Sequence, residues 1–333
     1  MSIVVAAGQH GDSSQFEAVL KKFHLSPTLV VSRETSGARM TMRVLLTGST
    51  GYIGASVLNC LVSSGHRVTA LVRSAKEAES VRSKDVEPAI ADLSDRDVLG
   101  ELASASDGVI HVALPGDETS ATADEVAVTS FLIALRNTDR PFVHTTAVWV
   151  HGNGMAITES TAMNAPRLTA WRVPLARLVR STRGVRTSVI APAVVYGHGG
   201  GLLNLVAKGP RTTGNTPALV MVGTGDQHWS TVHVDDLAKL YVLALERAPA
   251  GSYFLGAGGE NPTVRKITEA VSCSIGLGGR VEAEPVAKTL DRLGPLGEAL
   301  LLDQQASGDT ARRRLGWSPQ GPPIFDDIAR TDF

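Results

Sequence analysis

A glycine-rich turn near residue 50 carries the clearest chemical signal in the sequence. It reads Thr47-Gly48-Ser49-Thr50-Gly51-Tyr52-Ile53-Gly54 and lies between a short apolar strand and a predicted helix. With this spacing the first glycine permits a sharp turn, the second lets a pyrophosphate approach the backbone, and the third lets the helix pack closely on the strand. Free N–H groups and the helix dipole then favour phosphate. The turn predicts a dinucleotide site at Gly48, Thr50, Gly51, Tyr52, Ile53 and Gly54.

The end of the next strand indicates which dinucleotide would bind. That strand is followed by Arg73-Ser74-Ala75-Lys76, with no acidic residue at the strand end. An Asp or Glu there would hold the ribose 2′-hydroxyl of NAD, whereas a guanidinium can clamp a 2′-phosphate. We therefore predict NADP(H) as the cofactor and favour it over NAD(H). The alternative is that Arg73 is a solvent-facing loop charge without a ligand.

Alternating strands and helices must position this turn. Apolar runs predict strands at 44–47, 68–72, 86–91, 108–114, 141–147 and 187–191. Helical stretches lie between them at 52–63, 77–83, 96–103, 123–137 and 167–181. Strands that are apolar throughout are buried on both faces, and strands that alternate with helices form parallel βαβ units. The fold class predicted is α/β, a Rossmann doubly wound parallel sheet with a smaller C-terminal α/β substrate lobe.

The alternation of strands and helices, and the point at which it stops, also predict a division into domains. Residues 1–41 do not fit the pattern and are predicted to be an N-terminal extension of unknown role. Residues 42–197 would form the dinucleotide-binding Rossmann domain. Residues 198–333 would form the smaller substrate lobe, with a helix at 235–246, a strand at 252–255 and a helix at 264–274.

Several landmarks in this order resemble the short-chain dehydrogenase/reductase superfamily, and within it the extended, NAD(P)-dependent epimerase/dehydratase family. The glycine spacing carries the resemblance, together with a series of short segments from residue 91 to residue 319. They are Ala91-Asp92-Leu93, His111-Val112-Ala113, Thr145-Thr146-Ala147, Pro192-Ala193-Val194-Val195-Tyr196-Gly197, His233-Val234-Asp235-Asp236 and Leu315-Gly316-Trp317-Ser318-Pro319. The resemblance implies that Asp92, Leu93, Val112, Ala113 and Pro192 contact the cofactor.

The sequence departs from that family at its catalytic centre. The resemblance implies a Tyr that acts as acid or base and, four residues later, a Lys that holds the nicotinamide ribose. Counting along the helix after strand five places Leu168 and Arg172 there, and no tyrosine lies between residues 156 and 195. Arg172 can still donate hydrogen bonds to ribose, but it cannot serve as a base.

Proton transfer would then have to come from another side chain near the strand ends. The candidates for catalysis are Thr146, Tyr196 and His151, because a hydroxyl can bind a substrate oxygen and a His can act as acid or base near neutral pH. For each of the three, a packing or surface role is the alternative.

Composition excludes several function classes. Lys and Arg number 32 against 33 Asp and Glu, for a net charge of −1 in 333 residues, so we predict no nucleic-acid partner. No apolar run is long enough for a membrane span, and two distant cysteines do not form a disulfide framework, so a cytoplasmic protein is expected. His233 with Asp235 and Asp236 lacks a further ligand at suitable spacing, so we predict no metal site.

Three functional interpretations remain open at this stage. The first is an NADP(H)-dependent oxidoreductase or epimerase/dehydratase-like enzyme that acts on a small-molecule carbonyl or hydroxyl substrate. The second keeps the cofactor fold but performs a non-redox lyase, isomerase or cyclase reaction. The third is a non-catalytic protein that senses a dinucleotide. The sequence leaves the oligomeric state open, and a homodimer is one option.

Overall fold

The computed structural model describes residues 41–333, which form one compact unit. The expected N-terminal extension, 1–41, lies outside the described residues except for its last one. The strands are β1 Arg43–Thr47, β2 Arg67–Val72, β3 Val86–Ile90, β4 Gly108–His111, β5 Pro141–Thr145, β6 Gly154–Ile157, β7 Arg186–Pro192, β8 Val194–Tyr196, β9 Leu219–Val220, β10 Thr231–His233, β11 Ser252–Gly256, β12 Val281–Glu282 and β13 Gln304–Ala306.

The helices alternate with the strands in the first half of the chain. They are α1 Tyr52–Ser63, α2 Ala75–Val81, α3 Arg96–Ser104, α4 Ser120–Ala134, α5 Arg172–Ser181, α6 Leu203–Ala207, α7 Val234–Arg247, α8 Val264–Ser274, α9 Val286–Leu300, α10 Asp309–Leu315 and α11 Ile324–Arg330, with a 3-10 turn at Val148–His151. Local signals set several of these boundaries. The Asp95 side chain caps α3 and the Thr263 side chain caps α8, while Gly65, at φ +84°, follows the end of α1.

Seven parallel strands form the main sheet, in the order β11-β7-β5-β4-β1-β2-β3. Strand β1 lies inside the sheet, and the later strands are added on both sides of it, as in a doubly wound Rossmann fold. Strands β1 and β4 have no exposed side chain apart from Arg43, because helices cover both faces of the sheet. The predicted fold class is confirmed.

The structure corrects the assignment of the last strand. The segment at 252–255 was expected in the substrate lobe, but β11 pairs in parallel with β7, from Ser252 opposite Ser188 to Gly256 opposite Pro192. The preceding helix α7 packs against α1. Both elements therefore complete the main sheet and its helical layer, and the Rossmann part of the chain extends beyond residue 197.

A smaller hydrophobic cluster forms the core of the C-terminal lobe. It includes Val194 and Tyr196 of β8 and Trp229, and it extends along α6, α8 and α11. Three two-stranded parallel pairs lie outside the main sheet: β8 with β10, β9 with β12 and β6 with β13. In the described residues, no helix is both long and apolar enough to cross a lipid bilayer.

Candidate cofactor groove

Two glycines of the turn after β1 are required by packing alone. Gly48 has φ +77°, and a Cβ there would lie 2.8 Å from the Cα of Ala113. A Cβ at Gly54 would overlap the carbonyl oxygen of Gly48. These two positions therefore set the sharp turn and the close approach of α1 to β1, as the sequence predicted.

Gly51 differs from both neighbours because the space beside it is open. Its φ is −79°, which any residue can adopt, and the nearest atom to an added Cβ is Gly48 O at 3.3 Å. Gly51 is also the N-cap of α1, and no side chain caps this helix end. The first-turn N–H groups and the positive end of the helix dipole are thus available to an anion. This cradle fits a pyrophosphate.

The cradle forms one wall of a cavity of about 700 Å³ along the carboxyl ends of β1, β2, β3 and β4. That volume is within the range of small-molecule and cofactor sites. Eleven of the predicted cofactor residues line it together: Gly48, Thr50, Gly51, Tyr52, Ile53, Gly54, Arg73, Asp92, Leu93, Val112 and Ala113. We call this cavity the cofactor groove. The predicted contacts Arg172 and Pro192 are not among its lining residues.

The end of β2 holds both a cation and an acid. The Arg73 side chain is 74% exposed, and its guanidinium lies 3.5 Å from a carboxylate oxygen of Glu77. The other Glu77 oxygen accepts the Arg73 backbone N–H at 2.8 Å. Sequence analysis missed Glu77 because it lies one helical turn beyond the strand end. Its carboxylate also lines the groove, and it could accept hydrogen bonds from ribose hydroxyls.

Asp92 is held in place by the residue two positions after it. One carboxylate oxygen accepts the Ser94 backbone N–H at 2.8 Å and the Ser94 hydroxyl at 2.6 Å. These hydrogen bonds lower the pKa of Asp92 below its ordinary value, so it is an anion at neutral pH. Asp92 therefore offers a fixed acceptor at the side of the groove.

The three catalytic candidates differ in whether their polar atoms are already engaged. Thr146 is 3% exposed, and its Oγ1 has no hydrogen-bond partner within residues 41–333. Its backbone N–H donates to Ile190 O, which fixes the main chain at the end of β5. A buried hydroxyl without a partner is uncommon and needs an explanation.

Tyr196 and His151 are both engaged elsewhere. The Tyr196 hydroxyl donates to Pro322 O at 2.8 Å, and burial raises the pKa of this tyrosine above its ordinary value. The two nitrogens of His151 lie 3.0 Å from Thr161 O and 2.9 Å from the Tyr253 hydroxyl, and burial lowers the pKa of this histidine. None of the three candidates, Thr146 included, is among the residues that line the groove. The catalytic roles of Tyr196 and His151 stay predictions, and these contacts do not favour them.

The region expected to carry the family's dyad is built differently from the prediction. Helix α5 begins at Arg172, not at residue 167, and Leu168 lies in the turn before it. An Arg172 N–H donates to Thr145 O at 3.1 Å, and the guanidinium lies over the Trp171 ring at 4.4 Å. Arg172 thus braces the end of β5, next to Thr146.

A buried polar network lies behind the groove, and sequence analysis did not anticipate it. The Thr47 hydroxyl is 2.6 Å from His111 Nδ1, and His111 Nε2 is 2.8 Å from Asp124 Oδ1. His144 Nε2 approaches the same carboxylate at 3.2 Å. Burial alone would raise the pKa of Asp124, but the two imidazoles outweigh it and hold the pKa below its ordinary range. The network ties β1, β4, β5 and α4 together immediately below the groove.

A doubly wound parallel sheet with a glycine turn and an uncapped helix N-terminus after the first strand is the architecture of dinucleotide-binding α/β proteins. Residues 44–256 match the model of the NAD dependent epimerase/dehydratase family. An uncharacterized protein of Schizosaccharomyces pombe is 30% identical over 302 residues, which is 86% of this chain and 98% of that protein. A UDP-glucose 4-epimerase of Mycolicibacterium smegmatis is 29% identical over 318 residues, 87% of this chain and 97% of the enzyme.

The solved structures agree on the fold. A dTDP-glucose 4,6-dehydratase from Streptomyces venezuelae, solved with NAD bound, superposes with a TM-score of 0.70 at 21% identity, covering 87% of this chain and 95% of that one. The chain therefore belongs to the NAD dependent epimerase/dehydratase family, and the resemblance stated from the sequence is confirmed.

Proposed function

We propose that this protein is an NADP(H)-dependent oxidoreductase or epimerase/dehydratase-like enzyme that acts on a small-molecule carbonyl or hydroxyl substrate without a Tyr–Lys dyad. The observation that carries the proposal is the open cradle at Gly51, where the uncapped end of α1 faces the groove. Backbone N–H groups and the helix dipole would hold the pyrophosphate. When bound, the nicotinamide would supply the hydride chemistry.

The charges at the end of β2 support NADP(H). Arg73 is exposed at the lip of the groove, and a guanidinium can make paired, charge-assisted hydrogen bonds to a 2′-phosphate. Glu77 opposes this preference, since its carboxylate would repel a phosphate placed too close. The phosphate would have to lie on the solvent side of Arg73, where the long side chain can turn away from Glu77.

Thr146 is the group we assign to the substrate. Of the three candidates, Thr146 alone has a side-chain polar atom with no hydrogen-bond partner in the described part of the chain, whereas the Tyr196 hydroxyl and both His151 ring nitrogens are engaged. A threonine hydroxyl can both donate to and accept from a substrate oxygen. Arg172 would act indirectly, by bracing the Thr145 carbonyl next to it.

The residues that line the groove also support a second function, one without hydride transfer. Among the described residues, Tyr52 is the one Tyr, His or Lys that lines the groove, and its hydroxyl already donates to Gly197 O at 2.8 Å. A site without a free Tyr, His or Lys to transfer a proton would suit a non-redox lyase, isomerase or cyclase, or a protein that senses the dinucleotide. We place these behind the first proposal.

Nicotinamide absorbance, followed with a panel of aldehydes and ketones, separates these functions. As an oxidoreductase, the enzyme would oxidise NADPH in a reaction that depends on both substrate and enzyme and that is lost in Gly51→Val. As an epimerase or dehydratase, it would pass a hydride to the cofactor and take it back, so product would form with no net change in NADPH but only with the cofactor bound. Product formed by the cofactor-free enzyme would show the non-redox alternative. Tight NADPH binding without turnover of any substrate would contradict an enzymatic role.

A further inference from the structure

Three side chains that are potential metal ligands meet beside the glycine-rich loop that follows β8. They are His198, His233 and Asp235, whose donor atoms all lie within 4.8 Å of one another. His198 Nε2 is 2.8 Å from Asp235 Oδ2, and His233 Nδ1 is 3.8 Å from the same oxygen. Both imidazoles thus approach a single carboxylate oxygen. We call these residues the His–His–Asp cluster.

The backbone holds the cluster together from two directions. Asp235 lies in the first turn of α7 and His233 is the N-cap of that helix, so both are fixed by one element. His198 is delivered by the loop between Gly197 and Gly199. It is one of three non-glycine residues with positive φ in the described chain, at +53°. This uncommon conformation places the imidazole against Asp235.

We propose that the His–His–Asp cluster binds a divalent transition-metal ion of the zinc class. Two imidazoles and a carboxylate are a common ligand set for such ions. Tetrahedral ligands at roughly 2.0–2.1 Å from zinc lie about 3.3 Å apart. The observed separations of 2.8 and 3.8 Å lie on either side of that value, so small side-chain rotations would complete the site.

The three side chains differ in solvent exposure, and the difference suits an ion with one coordination position open to water. The His233 side chain is 5% exposed and supplies a rigid ligand, whereas those of His198 and Asp235 are 62% and 45% exposed and leave an entry path. The hydrogen bond that His233 Nδ1 now accepts, from the Asp235 backbone N–H, is long at 3.3 Å and therefore weak. A metal ion would replace this long hydrogen bond.

The His–His–Asp cluster lies next to a residue that contacts the cofactor groove, so a bound ion would stabilise that contact. Gly197, next to His198, accepts the Tyr52 hydroxyl through its carbonyl oxygen, and Tyr52 lines the cofactor groove. An ion that joins His198 to α7 would fix the loop on which Tyr52 rests. Asp236 takes no part, since its carboxylate accepts the backbone N–H groups of Gln320 and Gly321.

The test is a titration of the untagged full-length chain, freed of metal by a chelator, with Co²⁺ and then Zn²⁺. Bound Co²⁺ should give the visible absorption of a low-coordinate site with one equivalent per chain, and Zn²⁺ should displace it. His198→Ala and Asp235→Asn should each weaken binding by more than the roughly 10- to 100-fold that loss of an outer hydrogen-bond partner costs.

A matched control comes from another His–Asp pair. His228 Nδ1 lies 2.9 Å from Asp303 Oδ1, and within residues 41–333 this pair belongs to no cluster of three potential ligands, so His228→Ala should leave Co²⁺ binding unchanged. Circular dichroism and a urea unfolding curve of each variant report whether it is folded. The proposal is overturned if the wild-type chain shows no saturable Co²⁺ binding, or if folded His198→Ala binds as tightly as the wild type. It is equally overturned if His228→Ala loses as much affinity as His198→Ala.

Discussion

Replacing Gly51 by valine should separate cofactor binding from folding. The backbone at Gly51 is extended, at φ −79° and ψ 167°, which a β-branched residue adopts without strain. The added Cβ would meet Gly48 O at 3.3 Å, so the turn would have to shift by a few tenths of an ångström. The remaining atoms of the valine would then occupy the space above the start of α1, where the pyrophosphate belongs.

The expected magnitudes differ for binding and for stability. Loss of two charge-assisted hydrogen bonds from helix N–H groups to the pyrophosphate, at about 1.5–3 kcal/mol each, would cost about 3–6 kcal/mol. That corresponds to a Kd roughly 10²- to 10⁴-fold higher. The free energy of unfolding should change by only about 1 kcal/mol, because glycine is a better N-cap than valine.

The assay is a calorimetric titration with NADPH beside a urea unfolding curve, and the control lies at the other end of the same helix. Gly65 has φ +84°, and a Cβ there would contact nothing within 4 Å. Gly65→Ala should therefore lower the free energy of unfolding by about 1–2 kcal/mol through backbone strain, and leave NADPH affinity unchanged. An unchanged affinity in folded Gly51→Val would refute the assignment of the cradle.

Three further changes test other parts of the account. Arg73→Ala should weaken NADPH binding by about 1.5–3 kcal/mol and barely alter NADH binding, measured as two dissociation constants; a native preference for NADH would show that Arg73 has no ligand. Thr146→Val, which removes a hydroxyl at nearly constant volume, should lower turnover by about 10- to 150-fold, the equivalent of one strong hydrogen bond, with cofactor affinity intact. Tyr196→Phe should keep full turnover, and a comparable loss there would point to the tyrosine instead. Burial lowers the pKa of His151, so the unfolded chain binds more protons and stability should fall as pH drops below about 6.5; His151→Gln should flatten that slope in urea unfolding curves at several pH values.

Much of the groove could be predicted because it depends on local sequence. The turn glycines and the residues just after each strand follow from backbone geometry and from the rule that ligands bind at the carboxyl ends of parallel strands. Helix α1 and the glycine that ends it were predicted at the bounds observed, since Gly65 can adopt a left-handed conformation at no cost.

The features that sequence analysis missed depend on distant partners. Nothing local indicates that Tyr196 meets Pro322 or that His151 meets Tyr253, yet these contacts decide whether either side chain is free. Strand β11 looked like part of the lobe because a long interval separates it from β7, its neighbour in the sheet. Each of these contacts is set by tertiary packing.

The His–His–Asp cluster illustrates the same limit. His233 and Asp235 are neighbours in sequence, and their ligand set looked incomplete without a third residue close by. The missing imidazole, His198, comes from a loop far earlier in the chain and is brought in by the parallel pairing of β8 with β10. A short-range spacing rule cannot find a neighbour that tertiary packing brings in.

A crystal structure of the full chain with NADPH tests the central claim most directly. The account predicts pyrophosphate oxygens within hydrogen-bond distance of the first-turn N–H groups of α1, above Gly51. It also predicts the 2′-phosphate beside Arg73 and the nicotinamide on the side of Thr146. A dinucleotide bound outside the groove, or a groove that stays empty at saturating NADPH, would contradict it.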